Sequence, residues 1–144
     1  IVGPGDIEKF SNMAQKMNLA DRIILTGAFP AKETQKIYGG SDVFVFTSKT
    51  ETQGLVIGEA MMAEIPVVAF ESQIQPEIYP KSMSLVVKNE SEFSFAVLDI
   101  LKNQEKRDKM VKMAKEFVLE NFSREAMTKK QKALFLKLHN KSKI

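Results

Sequence analysis

Residues 43–70 read VFVFTSKTETQGLVIGEAMMAEIPVVAF. Two apolar runs, 43–46 and 66–70, bracket a helical stretch from about 54 to 63, and proline opens the second run, a position strands tolerate. Runs that are apolar at every position, rather than at every second one, belong to strands covered on both faces. Strand, helix and strand in so short a span predict a right-handed crossover between parallel neighbours. Working outward, residues 1–3, 22–26 and 84–87 add three further strands, and Gly27 ends the second of them. Helices are expected at about 6–17, 32–38, 91–102, 105–120 and 124–138; in the first, Phe10, Met13, Ala14 and Met17 recur at spacings of three and four. The fold class expected is α/β: a doubly wound, Rossmann-like parallel sheet of about five strands with helices on both faces. Such sheets take ligands at the carboxyl ends of their strands.

The chain of 144 residues is long enough for one domain of roughly 150 residues. With 44% hydrophobic and 27% charged residues it has globular composition, which argues against disorder. There is no cysteine and a single histidine, His139, so thiolate and His-rich metal sites, disulfides and Cys nucleophiles are excluded. The net charge of +3 conceals an uneven distribution: residues 121–144 carry seven basic side chains against Glu125, and residues 1–120 are net acidic. The division expected is a ligand-binding domain over 1–122 and a basic terminal helix over 123–144. The apolar run at Ile1, without a preceding partner, predicts a domain from a longer protein.

Three strand-to-helix turns are candidates for chemistry. Gly3-Pro4-Gly5-Asp6 has two glycines that allow close approach to a phosphate, but lacks the third glycine of the dinucleotide fingerprint; a plain turn is the simpler reading. Thr26-Gly27-Ala28-Phe29-Pro30 offers backbone amides and an aromatic edge to a base, or is only a connector. The third, residues 47–60, places Glu51 after a buried strand and Glu59 in the following helix, with Thr52, Gln53, Gly54, Leu55 and Val56 between them at the helix start. Free amides and the helix dipole favour an anion there. Two carboxylates beside an anion site fit a sugar nucleotide, whose hydroxyls donate to carboxylates while its diphosphate takes the amides. Glu59, flanked by Gly58, Ala60 and Met61, is expected to sit in apolar surroundings and to need a partner.

Glu51 and Glu59, with seven residues between, match the E-x7-E signature of the family 4, group 1 retaining glycosyltransferases, enzymes of GT-B architecture. The remaining motifs follow in the family's order: residues 1–6 (IVGPGD), 24–27 (ILTG), 41–45 (SDVFV), 59–61 (EAM), 66–69 (PVVA) and Pro76-Glu77-Ile78. The resemblance covers about residues 1–125 and is to the C-terminal, donor-binding half, lacking its first strand. It implies that Glu59 holds the ribose hydroxyls, that Glu51 contacts the donor sugar, and that Gly54, Leu55 and Val56 receive the diphosphate. It also implies that the loop of Ala28 and Phe29 borders the base, and that no metal or other cofactor is bound. The family's acceptor domain, and the basic pair that grips the diphosphate, would lie before Ile1, so this chain is expected to bind donor without turnover. Two departures stand out: Glu64 replaces a glycine, and residues 71–75 replace a glycine-rich loop near the donor sugar.

Thr50-Glu51-Thr52-Gln53-Gly54-Leu55 resembles the bacterial diacylglycerol glucosyltransferases, which implies UDP-glucose as donor and a lipid acceptor. The basic end suits an anionic membrane surface, and equally a solvated helix or a helix returning to the N-terminal domain. A cytoplasmic enzyme, peripheral on the inner face of the membrane, is then expected. A glycosyltransferase of polysaccharide or lipopolysaccharide synthesis is the alternative. Phosphorylase and epimerase readings fit the motif order less well. Nucleic acid is not an expected partner, because only Phe122 and Phe135 accompany the basic residues.

Overall fold

The computed structural model describes residues 1–48, 54–71 and 78–141. It comprises two compact units, Ile1–Gly40 and Ser41–Ile144.

In the first unit, helices α1 (Ile7–Lys16) and α2 (Ala31–Gly39) accompany two short extended segments. The backbone nitrogen of Ile1 donates to Ile24 O at 2.6 Å, and Thr26 N donates to Ile1 O at 3.1 Å, which sets Ile1 beside Leu25 in parallel fashion. A third bond, Gly3 N to Gly27 O at 2.9 Å, closes the pairing. Gly3 and Gly27 have φ of +138° and +70°, outside the β region, so the ladder stops there. Residues 1–3 and 22–26 are therefore hydrogen-bonded segments and not sheet strands, which corrects the expectation of about five strands.

The second unit holds the sheet. Among the described residues it has three strands, β1 (Phe44–Phe46), β2 (Val67–Phe70) and β3 (Leu85–Val87), in the order β1-β2-β3. All pair in parallel, Phe44 opposite Val67 and Val68 opposite Leu85. Helix α3 (Leu55–Met62) makes the crossover from β1 to β2, and α4 (Glu90–Lys102), α5 (Gln104–Phe122) and α6 (Arg124–Lys141) follow β3. These helices begin and end within a turn of the positions expected from the apolar spacing.

The central strand explains the arrangement. Val68 packs with Val87, Ala96, Ile100 and Met110, drawn from β3, α4 and α5. Val67 and Ala69 project to the opposite face and are equally buried, so β2 is covered on both sides. Helix α5 contributes Met110, Ala114 and Val118, one residue per turn along a single buried stripe. Where β2 ends, Phe70 meets Phe93 of α4 with ring centres 4.9 Å apart. Asn103 closes α4 by donating its backbone N–H to Asp99 O at 2.9 Å, and opens α5 by accepting from Lys106 N at 3.0 Å. Lys106 Nζ then reaches back to Asp99 Oδ2 at 2.5 Å.

Helix α3 ends in a Schellman turn. Ile65 N donates to Ala60 O and Glu64 N to Met61 O, both at 3.1 Å, which puts Glu64 at the left-handed position with φ +60°. Glycine is the usual occupant there, because a Cβ crowds the following carbonyl. The Glu64 carboxylate pairs with Lys115 of α5, but on the surface, where such a pair adds little. Replacing Glu64 by glycine or by alanine removes that pair equally. Glu64→Gly is therefore expected to exceed Glu64→Ala in stability by about 1 kcal/mol, read by urea denaturation.

Candidate functional site

The residues expected to bind a ligand fall in both units. In the first, the bond from Gly3 to Gly27 brings two of the three candidate turns together. Beyond Gly27, Ala28 and Phe29 are exposed, Phe29 by 43%, before Pro30 opens α2. An aromatic face open to solvent in this loop is suited to stacking on a flat ring. The turn at Gly5 is already satisfied in its own way: Asp6 caps α1, its carboxylate accepting from Lys9 N at 2.9 Å. That carboxylate occupies the place an anion would take at this helix start, as in a plain turn.

In the second unit, β1 leads through Thr47 and Ser48 toward α3. Glu51, Thr52 and Gln53 lie outside the described residues, as do residues 72–77 with Pro76 and Glu77. Gly54 is the residue before α3 and has a left-handed conformation, φ +64° and ψ +36°. It is buried, and a methyl group placed on it would approach Ile57 Cδ1 to 3.1 Å. Both the backbone angle and the space call for glycine. No side chain caps α3 among the described residues, and its first turn carries no acid, in contrast to the Asp6 cap of α1. Among the described residues, the amides of Leu55 and Val56 thus begin a helix whose first turn supplies no anion of its own.

Glu59 follows Leu55 by four residues, so the two lie on one face about 6 Å apart along the axis. Both are exposed, whereas Ile57, Gly58, Ala60 and Met61 are buried. The expectation that Glu59 sits in apolar surroundings is corrected here: the residue is exposed. Its sequence neighbours Gly58 and Ala60 are buried, whereas Glu59 itself lies on the exposed face of the helix. What singles Glu59 out is its place, one turn from a helix start at the carboxyl end of β1 that no side chain among the described residues caps.

Two features escaped the reading of the sequence. Tyr79, 3% exposed, packs against Gly58 and Gly54 of α3. The pair of glycines one helical turn apart was its only trace in the sequence. A cleft of about 390 Å³, lined by Thr47, Phe70, Glu90, Phe93 and Ser94, opens beside the carboxyl ends of β1 and β2. It takes the edge of the sheet where ligands of open α/β folds bind.

The sequence profile of the group 1 glycosyl transferases matches residues 1–117. Among curated relatives, a sulfoquinovosyl transferase of Arabidopsis thaliana is 41% identical over 58 residues, 40% of this chain and 11% of the relative. The alpha-monoglucosyldiacylglycerol synthase of Streptococcus pneumoniae is 28% identical over 103 residues, 70% of this chain and 23% of the relative. Among solved structures, a mutant of S. aureus TarM in complex with fondaparinux, alpha-GlcNAc-glycerol and UDP superposes with a TM-score of 0.78. Identity there is 28%, over 94% of this chain and 28% of the other. The chain thus spans less than a third of the length of each of these proteins.

The start of α3 yields a stability test. Gly54→Ala is expected to cost about 1–2 kcal/mol through its left-handed backbone alone. Gly39→Ala, at the end of α2, has an ordinary φ and open space around it, and is expected to be neutral or slightly stabilising. Urea denaturation of the two variants side by side measures the difference.

Proposed function

The chain belongs to the group 1 glycosyl transferases, and from that premise we propose that it is the donor-binding part of a retaining enzyme that transfers glucose from UDP-glucose to a membrane lipid of the diacylglycerol type. The observation that carries the reading is the start of α3: a left-handed Gly54, no side-chain cap among the described residues, and Glu59 one turn on along the same exposed face. A nucleoside diphosphate fits that pattern. Its phosphates take the first-turn amides at the positive end of the helix dipole. Its ribose hydroxyls, one turn along, donate to the Glu59 carboxylate. As the bond from anomeric carbon to phosphate breaks, negative charge accumulates on the departing diphosphate, and amides already aimed at it stabilise that charge without reorganising. Glu51 takes a hydroxyl of the sugar and so reads the donor rather than the nucleotide.

The acceptor reading draws on the lipid-glycosylating name of the pneumococcal relative and on α6. No helix among the described residues is long and apolar enough to cross a membrane. Helix α6 instead exposes Leu134, Phe135, Leu136 and Leu138, Phe135 by 69%, and carries Lys129, Lys132 and Lys137. Cations along an exposed helix suit the surface of an anionic bilayer.

Titration calorimetry with UDP and UDP-glucose tests the donor site. Glu59→Ala is expected to weaken both ligands about 10- to 100-fold, the loss of hydrogen bonds to a charged group. Its melting temperature should change little, because the side chain is exposed and polar contacts at the surface add little. Glu51→Gln should spare UDP and weaken only UDP-glucose; equal loss of UDP in both variants would overturn the division of roles. For the membrane, cosedimentation with phosphatidylglycerol vesicles should fall about 100-fold when Lys129, Lys132 and Lys137 become Gln, at about 1 kcal/mol per lysine. Unchanged partitioning would remove α6 from the reading.

A further inference from the structure

Gly54, just before α3, and Gly58 within it sit one turn apart, and the ring of Tyr79 lies across both. A methyl group placed on Gly58 would stand 2.7 Å from Tyr79 Oη, closer than any side chain tolerates, and 3.6 Å from Cζ. One placed on Gly54 would stand 3.6 Å from Tyr79 Cε2. The two glycines form a slot that the ring fills. The ring also meets Phe122, at the end of α5, with centres 5.6 Å apart, and Phe122 in turn meets Phe117 at 6.0 Å. Tyr79 is thus wedged between the first turns of α3 and the last turn of α5, almost wholly out of water.

The residues in that slot are neighbours of the groups assigned to the nucleotide. Gly54 precedes the amides of Leu55 and Val56, and Gly58 precedes Glu59. We infer that Tyr79 is a positioning residue for the nucleotide site: by filling the slot it holds α3 at one depth against α5, and with it the position at which the first-turn amides and the Glu59 carboxylate together meet the nucleotide. The inference rests on the donor-site reading above. It adds that a buried ring which touches no ligand determines how well that site binds. Misplacement of a binding group by an ångström is enough to cost one to two orders of magnitude.

The contact with Oη makes the idea testable by compensation. Gly58→Ala is expected to weaken UDP binding about 10-fold, because the methyl group displaces α3 from the ring. Removing the hydroxyl as well leaves ring carbons at 3.6 and 3.7 Å as the nearest atoms, an ordinary contact. Gly58→Ala/Tyr79→Phe should therefore bind UDP within about threefold of the parent chain. Tyr79→Leu empties the slot and should weaken UDP about 10-fold even if Gly58→Ala fails to fold. Val118→Ala, in the buried stripe of α5, is the comparison: it should lower the melting temperature and leave UDP affinity unchanged. The inference is overturned if Gly58→Ala or Tyr79→Leu binds UDP like the parent, if the double variant gains nothing over Gly58→Ala, or if Val118→Ala loses affinity in step with its stability. Failure of the parent chain itself to bind UDP would overturn the donor-site reading, and is visible without any variant.

Discussion

Burial of Val67, Val68 and Ala69 on both faces of the sheet is the constraint on which the second unit rests. A strand with no wet face needs a helix on each side, and parallel neighbours need a crossover to join them. Helix α3 makes that crossover in eight residues. Its start must then lie at the carboxyl end of β1 and its end at the amino end of β2. The first-turn amides and Glu59 stand at the ligand edge as a result of that geometry, before any ligand is considered.

Both ends of α3 rely on left-handed backbone, and the two are handled differently. At Gly54 the space is as restrictive as the angle, since Ile57 and Tyr79 occupy the volume a side chain would need. At Glu64 only the angle is demanding, and a carboxylate that faces outward to Lys115 is accommodated. The helix therefore keeps glycine where it meets the core and the candidate ligand, and departs from glycine where it meets water.

Much of this was legible in the sequence. Apolar runs of three or four residues marked β1, β2 and β3, and apolar spacing marked the helices to within a turn, because both signals are local. The first two segments were less tractable. Residues 1–3 and 22–26 are as apolar as true strands, but whether hydrogen bonds continue past three depends on the glycine angles at Gly3 and Gly27. The E-x7-E spacing located Glu59 on α3 but not its exposure. Successive residues on a helix point about 100° apart, so apolar neighbours in sequence say nothing of the face a side chain takes. Tyr79 was invisible because it comes from an aperiodic stretch and meets α3 some twenty residues back along the chain.

Asn103 has a consequence for how the second unit holds together in time. One residue ends α4 and begins α5, with no loop between them, and Lys106 and Asp99 clasp the corner from outside. A junction without slack gives neither helix room to open alone, so local fluctuations that lift α4 from the sheet carry the start of α5 with them. Helix α5 also supplies Phe122, the back wall of Tyr79. Amides at the far end of the domain and those at the start of α3 should accordingly belong to one cooperative opening unit, with protection against solvent exchange that rises and falls together.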